Sequence, residues 1–213
     1  MKEWTHHDIK LGYVPKPLQQ PHPPIAISAM SPYSGSLKFA GRKGYIPVSA
    51  NFIAPWSVAT HWPAYCAGAK ESNLIPDNNK WRVARSIFVA DSDAEAEEFI
   101  MQKSGAFDYY YEYLFSIFDK ADFKGPFVIN KDDDPSKLTH GMLRDACVIK
   151  GSPETVSDAI LELMNEIGDF GTILYAAHDW TDKSMMIKSM ELFANEVMPQ
   201  VNRKLNARQA SAG

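Results

Sequence analysis

From residue 25 to residue 202 the chain alternates short apolar runs with longer stretches of helical periodicity. Runs separated by a whole helix cannot pair as tight hairpins, so the pattern predicts a parallel α/β sheet rather than a sandwich. The runs lie at 25–30, 45–51, 81–90 and 172–177, which makes four βα units. After the first comes the loop Ser31-Pro32-Tyr33-Ser34-Gly35-Ser36 and a short helix ending near Gly44; after the second, a helix over 55–71. Asp91 or Ser92 can cap a third helix, whose opening acids Asp93, Glu95 and Glu97 suit the positive end of its dipole. It continues through the aromatic patch Tyr109-Tyr110-Tyr111-Glu112-Tyr113-Leu114-Phe115. Ser152 as cap and Pro153 at the first helical position start another helix, with Val156, Ile160, Leu163 and Ile167 on one face. The last helix spans 183–202, and its stripe of Met186, Met190, Phe193, Val197 and Val201 reads as core packing.

The flanks are different. Residues 1–24 hold five prolines and read as an extended lead-in, and residues 205–213 as a disordered polar tail. The irregular stretch 119–145, with Gly125-Pro126 and Asp132-Asp133-Asp134-Pro135, reads as an excursion over the strand ends.

Composition narrows the function classes. With 45% apolar residues among 213, disorder is excluded as the main state. A formal charge of −4 gives no footprint for a phosphate backbone, and no stretch approaches the roughly 18 apolar residues of a membrane span. No nucleic-acid or membrane partner is therefore expected. Two cysteines, Cys66 and Cys147, argue against a disulfide scaffold and read as packing residues; with an N-terminus lacking a secretory core, they suggest a cytoplasmic location.

In a parallel α/β sheet, ligands lie beyond the carboxyl ends of the strands. The residues to weigh are therefore those closing each apolar run. Ser34, Gly35 and Ser36 sit between a strand and a helix, where hydroxyls and free amides can hold a phosphate; the same residues also make a plain serine cap with a glycine turn. His178-Asp179-Trp180 follows the final strand, and His178 there suits an acid, a base or a hydrogen bond to a ligand carbonyl, or equally a helix cap. Ser49 and Asn51 close the second strand on one side. Arg82 and Arg85 point to opposite faces of the third, and one is expected to be buried against a carboxylate. His6-His7-Asp8 lacks a second ligand pair at metal spacing, so no metal is expected.

Four stretches resemble the bacterial-luciferase-like family of flavin-dependent monooxygenases. They are Pro23-Pro24-Ile25-Ala26-Ile27-Ser28-Ala29-Met30-Ser31 with Ser34-Gly35-Ser36; Ile87-Phe88-Val89-Ala90-Asp91-Ser92-Asp93; Gly151-Ser152-Pro153-Glu154-Thr155-Val156; and Met190-Glu191-Leu192-Phe193-Ala194-Asn195-Glu196-Val197-Met198-Pro199. Their order holds over nearly all of 15–202. The resemblance implies a TIM-type (β/α)8 barrel that takes reduced FMN from a separate NAD(P)H-dependent flavin reductase and uses O2 to oxygenate a small apolar organic substrate. It implies that Ser34, Gly35 and Ser36 hold the FMN phosphate and that Ser49 and Asn51 line the flavin pocket.

The match falls on the C-terminal half of the family pattern, and residues 25–204 read as a half-barrel of four units where a full barrel needs about 250 residues and eight strands. Two open strand edges predict pairing, with a complementary N-terminal half or with a second copy in a homo-oligomer. The missing half also normally supplies a histidine near the flavin. Two other readings stay open: a flavin-binding protein without turnover, and a structural half-barrel that completes another chain.

Overall fold

In the computed structural model, which describes residues 17–178 and 182–212, five parallel strands form one sheet. They are β1 (Ala26–Ala29), β2 (Ile46–Ser49), β3 (Arg82–Val89), β4 (Val148–Gly151) and β5 (Thr172–Ala176). β1 pairs with β2, and β2 pairs with the start of β3 through Val48 and Ser49 opposite Arg82 and Val83. β5 pairs with the same stretch of β3, from Arg82 to Ser86, so β2 and β5 flank it on opposite sides. The four expected strands thus form a continuous parallel path, in keeping with the α/β, barrel-type class.

β4 is a fifth strand that the sequence does not announce. It pairs only with the C-terminal half of β3, Ser86 to Val89. Its four residues Val148-Ile149-Lys150-Gly151 carry no alternation, and only the waiting edge of β3 makes them a strand.

The helices are α1 (Gly35–Lys43), α2 (Pro55–Ala59), α3 (His61–Glu71), α4 (Asp93–Ile100), α5 (Ala106–Lys120), α6 (His140–Cys147), α7 (Pro153–Ile167), α8 (Lys183–Leu192) and α9 (Met198–Ala212). Three expected single helices are interrupted. That over 55–71 breaks at Thr60; the one opening at Asp93 breaks at 101–105, where Ser104 takes a positive φ of 60°; and the last carries a π-helical turn, Phe193–Val197, between α8 and α9. α9 also reaches Ala212, so most of the stretch that reads as a disordered tail is helical. The excursion contains α6 and two 3-10 turns, Gly125–Phe127 and Pro135–Lys137. Trp56 Nε1 donates to the Val128 carbonyl at 2.9 Å, and Phe127 stacks on Phe118 with Phe52 beside both, which ties the excursion to the segment that follows β2.

Two caps follow the sequence. Ser152 accepts from Thr155 N at the start of α7, and Gly44 ends α1 at φ 66°. α1 and α3 meet backbone to backbone: a Cβ on Gly41 would lie 2.1 Å from the Tyr65 carbonyl oxygen, and one on Gly68 only 1.8 Å from that of Lys38. One core packs around Trp81, Phe88, Phe107, Tyr111 and Phe127, and a second joins Ile87 and Val89 to Val156, Ile160, Val197 and Val201 of α7 to α9. Residues 1–16 of the expected lead-in, and the His6-His7-Asp8 group within it, lie outside the described residues, as do Asp179 and Trp180.

Candidate functional site at the strand ends

Because all five strands run parallel, their carboxyl ends share one edge of the sheet. The sequence-predicted residues gather there in three groups. At the first, Ser34 caps α1, accepting from Leu37 N, and its hydroxyl lies 2.8 Å from that of Ser36, which in turn donates to the Ser28 carbonyl at 3.4 Å. Ser36 and Gly35 are exposed, and nothing lies within 4 Å of where a Gly35 side chain would begin. α1 has no acidic residue in its first turn, so its dipole end is left uncompensated. Hydroxyls, an open approach and an uncompensated helix start fit a phosphate group.

Ser49 is turned inward in this half of the fold. It is fully buried, accepts from Trp81 Nε1 at 2.9 Å, and lies 2.9 Å from His61 Nδ1. The other ring nitrogen of His61 lies 3.0 Å from the Ser31 carbonyl oxygen, so Ser49 reaches the first group only through His61. Burial is the main cause that lowers the His61 pKa to about 4; the hydrogen bond to Ser31 opposes it and the Arg85 charge adds to it. His61 is neutral at physiological pH.

Asn51 belongs to the third group, which converges on Ser86 in the middle of β3. The Ser86 hydroxyl accepts from Asn51 Nδ2 at 2.9 Å and from Tyr111 OH at 3.0 Å, and lies 2.9 Å from His178 Nε2. Tyr110 OH lies 3.2 Å from both the oxygen and the nitrogen of the Asn51 amide. Burial pushes the hydroxyls of Tyr110 and Tyr111 above the usual phenol range, so both keep their protons. The His178 ring sits 4.1 Å from that of Tyr110 and 4.6 Å from that of Phe107. Outside it opens a cleft of about 310 Å³ lined by Ala106, Tyr109, Tyr110, Tyr113, Ala177 and His178. A second cleft, about 520 Å³ and flanked by Asp132, Asp133 and Asp134, holds none of the sequence-predicted residues.

Sequence reasoning missed His61, Ser86 and Trp81. The signal for Ser86 was a lone hydroxyl amid Ile87-Phe88-Val89, where a polar side chain needs a buried partner; for His61 no signal existed, since its partners lie 12 and 30 residues away. Arg85 is the buried arginine of β3, as expected, while Arg82 is exposed. Its partners are main-chain carbonyls rather than a carboxylate: Nη1 donates to Ala84 at 3.1 Å and Ala50 at 3.4 Å, and Nη2 has no hydrogen-bond partner among the described residues. Cys147 is buried, which pushes its thiol up to about 12 and leaves it unreactive as a nucleophile. Among the described residues no group of histidine, cysteine and acidic side chains could hold a metal ion, and no helix is long and apolar enough to cross a membrane.

No protein-family model matches the chain. It is 33% identical over 180 residues to 2,5-diketocamphane 1,2-monooxygenase 2 of Pseudomonas putida, covering 83% of this chain and 49% of that protein. Over 213 residues it is 30% identical to 4-hydroxyprotoasukamycin monooxygenase of Streptomyces nodosus subsp. asukaensis, covering 97% of this chain and 54% of the other. Among solved structures it is similar to the oxygenating constituent of 3,6-diketocamphane monooxygenase from Pseudomonas putida, a type II Baeyer-Villiger monooxygenase in complex with FMN. There the TM-score is 0.74 and the identity 31%, covering 84% of this chain and 49% of that one. The chain therefore spans about half the length of these relatives. Along the half that it spans, the chain is a homologue of the diketocamphane monooxygenases, which fits the luciferase-like resemblance of its sequence.

Proposed function

We propose that residues 25–204 are the C-terminal half of a luciferase-like barrel, and that with the missing half in place they oxygenate a small apolar organic substrate with reduced FMN and O2. The observation that carries this reading is the 31% identity and TM-score of 0.74 to an FMN-bound type II Baeyer-Villiger monooxygenase. In the proposal, Ser34 and Ser36 hold the FMN phosphate through their hydroxyls, and the open side of Gly35 lets it approach the start of α1. Asn51 and His178, both held by the buried Ser86 hydroxyl, face the flavin from the strand ends, with His178 the candidate acid, base or donor. The aromatic cleft of Tyr109, Tyr110 and Tyr113 suits an apolar ring. When bound and reduced, FMN supplies the electrons that activate O2. The chain's own residues bind, orient and desolvate. In this reading a separate NAD(P)H-dependent flavin reductase supplies the reduced cofactor, in the cytoplasm that two free cysteines suit.

The exposure of the outer strands supports completion by a second half-barrel, from another chain or from a copy of this one. β5 keeps no fully buried residue, whereas β3 buries six of eight. A lone half-barrel that binds flavin without turnover is the second reading, for the chain with no partner supplied.

Titration of the purified chain with FMN, followed by flavin fluorescence, tests the cofactor reading. Saturable binding is expected, weakened at least about tenfold by the double change Ser34→Ala and Ser36→Ala. No binding at high micromolar FMN would sink it. Unchanged affinity in the double variant moves the phosphate elsewhere. Native mass measurement reads the assembly: a monomer at 23.9 kDa counts against pairing between copies.

A further inference from the structure

The loop that precedes α1 is held from behind by a chain of hydrogen bonds with one consistent set of proton positions. The Ser31 carbonyl can only accept, so His61 Nε2, 3.0 Å away, carries the ring proton. In the neutral imidazole Nδ1 is then an acceptor, and the proton it receives is that of Ser49 Oγ, 2.9 Å away. Ser49 in turn takes the indole proton of Trp81 at 2.9 Å. Trp81, Ser49 and His61 are all fully buried, so every polar atom of the chain has its partner without water. A second tie runs beside it: Tyr33 N–H donates to Thr60 Oγ1 at 2.7 Å, from the residue before His61. Two of the three residues ahead of Ser34 are thus fastened to the start of α3, and Tyr33 holds a positive φ of 53° there.

We propose that His61 is a positioning residue for the loop 31–36: through the Ser31 carbonyl it sets the place of Ser34 and Ser36 and so gives the chain its preference for a phosphate-bearing ligand. The proposal rests on the reading of Ser34 and Ser36 as a phosphate seat. Its mark is selectivity between two ligands that differ only by the phosphate, because a general loss of structure weakens both alike while a displaced loop weakens one.

The full-length chain is titrated with FMN and with riboflavin, as wild type, as His61→Leu and as His61→Gln. The wild type is expected to bind FMN more tightly than riboflavin. His61→Leu should lose about tenfold in FMN affinity with riboflavin affinity unchanged. His61→Gln, whose amide N–H can still donate to the Ser31 carbonyl, should recover most of the preference. A His61→Leu variant that keeps the wild-type preference overturns the proposal and leaves the phosphate seat standing. A wild type that binds FMN no better than riboflavin overturns the seat and the proposal together. Should His61→Leu fail to fold, nitrogen NMR of the unaltered protein decides: a proton on Nε2 supports the proposal, and one on Nδ1 overturns it.

Discussion

The Nε2 atom of His178, just past β5, lies 2.9 Å from the hydroxyl of Ser86, 92 residues earlier in β3. That hydroxyl has two lone pairs and one proton, and Asn51 and Tyr111 already donate to it. The remaining proton therefore goes to His178, whose Nε2 must be the bare nitrogen of a neutral ring. NMR of 15N-labelled imidazole is expected to find the His178 proton on Nδ1; a protonated Nε2 contradicts the assignment. Ser86→Ala leaves two buried donors without an acceptor and should cost about 1–3 kcal/mol in chemical denaturation.

Acid should weaken this fold through His61. Its pKa is 6.5 in the unfolded chain and about 4 in the folded one. Between those values the unfolded chain binds a proton that the folded chain does not. The contribution is complete above pH 6.5 and is lost as pH falls toward 4, by an amount on the order of 3 kcal/mol. Urea melts of wild type and His61→Gln across that window isolate it from the carboxylates that titrate nearby. Parallel slopes for the two proteins would remove His61 as the cause.

Gly41 and Gly68 let α1 and α3 touch through their backbones, and the start of α1 is the candidate phosphate seat. Gly68→Ala would push a methyl against the Lys38 carbonyl, with no flexible side chain to yield. A loss of at least about 3 kcal/mol is expected, several degrees of melting temperature in a chain of this size. Gly35→Ala, at an open position of α1, should be nearly neutral by the same calorimetry.

Trp56 anchors the excursion by a single side-chain hydrogen bond, to the Val128 carbonyl. Trp56→Phe keeps much of the apolar contact and deletes the donor. Hydrogen exchange at residues 125–139 should speed up by about tenfold, with β3 unaffected. Equal protection in both proteins would show that the Phe118–Phe127 stack alone holds the segment.

Much of the frame is legible in the sequence. The apolar runs placed four strands, Ser152-Pro153 fixed the start of α7, and Gly44 the end of α1, because caps and periodicity are local properties. β4 was not legible, since four residues become a strand only when β3 offers an edge. At the site, position after a strand selected Ser34, Asn51 and His178. The same rule is silent on the burial of Ser49, because whether a strand-end side chain meets solvent or another buried group depends on what α3 delivers there. His61 came from a helix, across 12 residues of sequence, and no spacing rule reaches it.

The buried end of the Trp81–Ser49–His61–Ser31 chain gives the loop an optical and magnetic reporter. The Trp81 indole proton is the last link of a line whose first link is the loop carbonyl. Its resonance position and its exchange with deuterium are expected to change when the Ser31 carbonyl moves. A ligand that displaces the loop is therefore expected to shift the indole signal from inside the sheet, with no added dye.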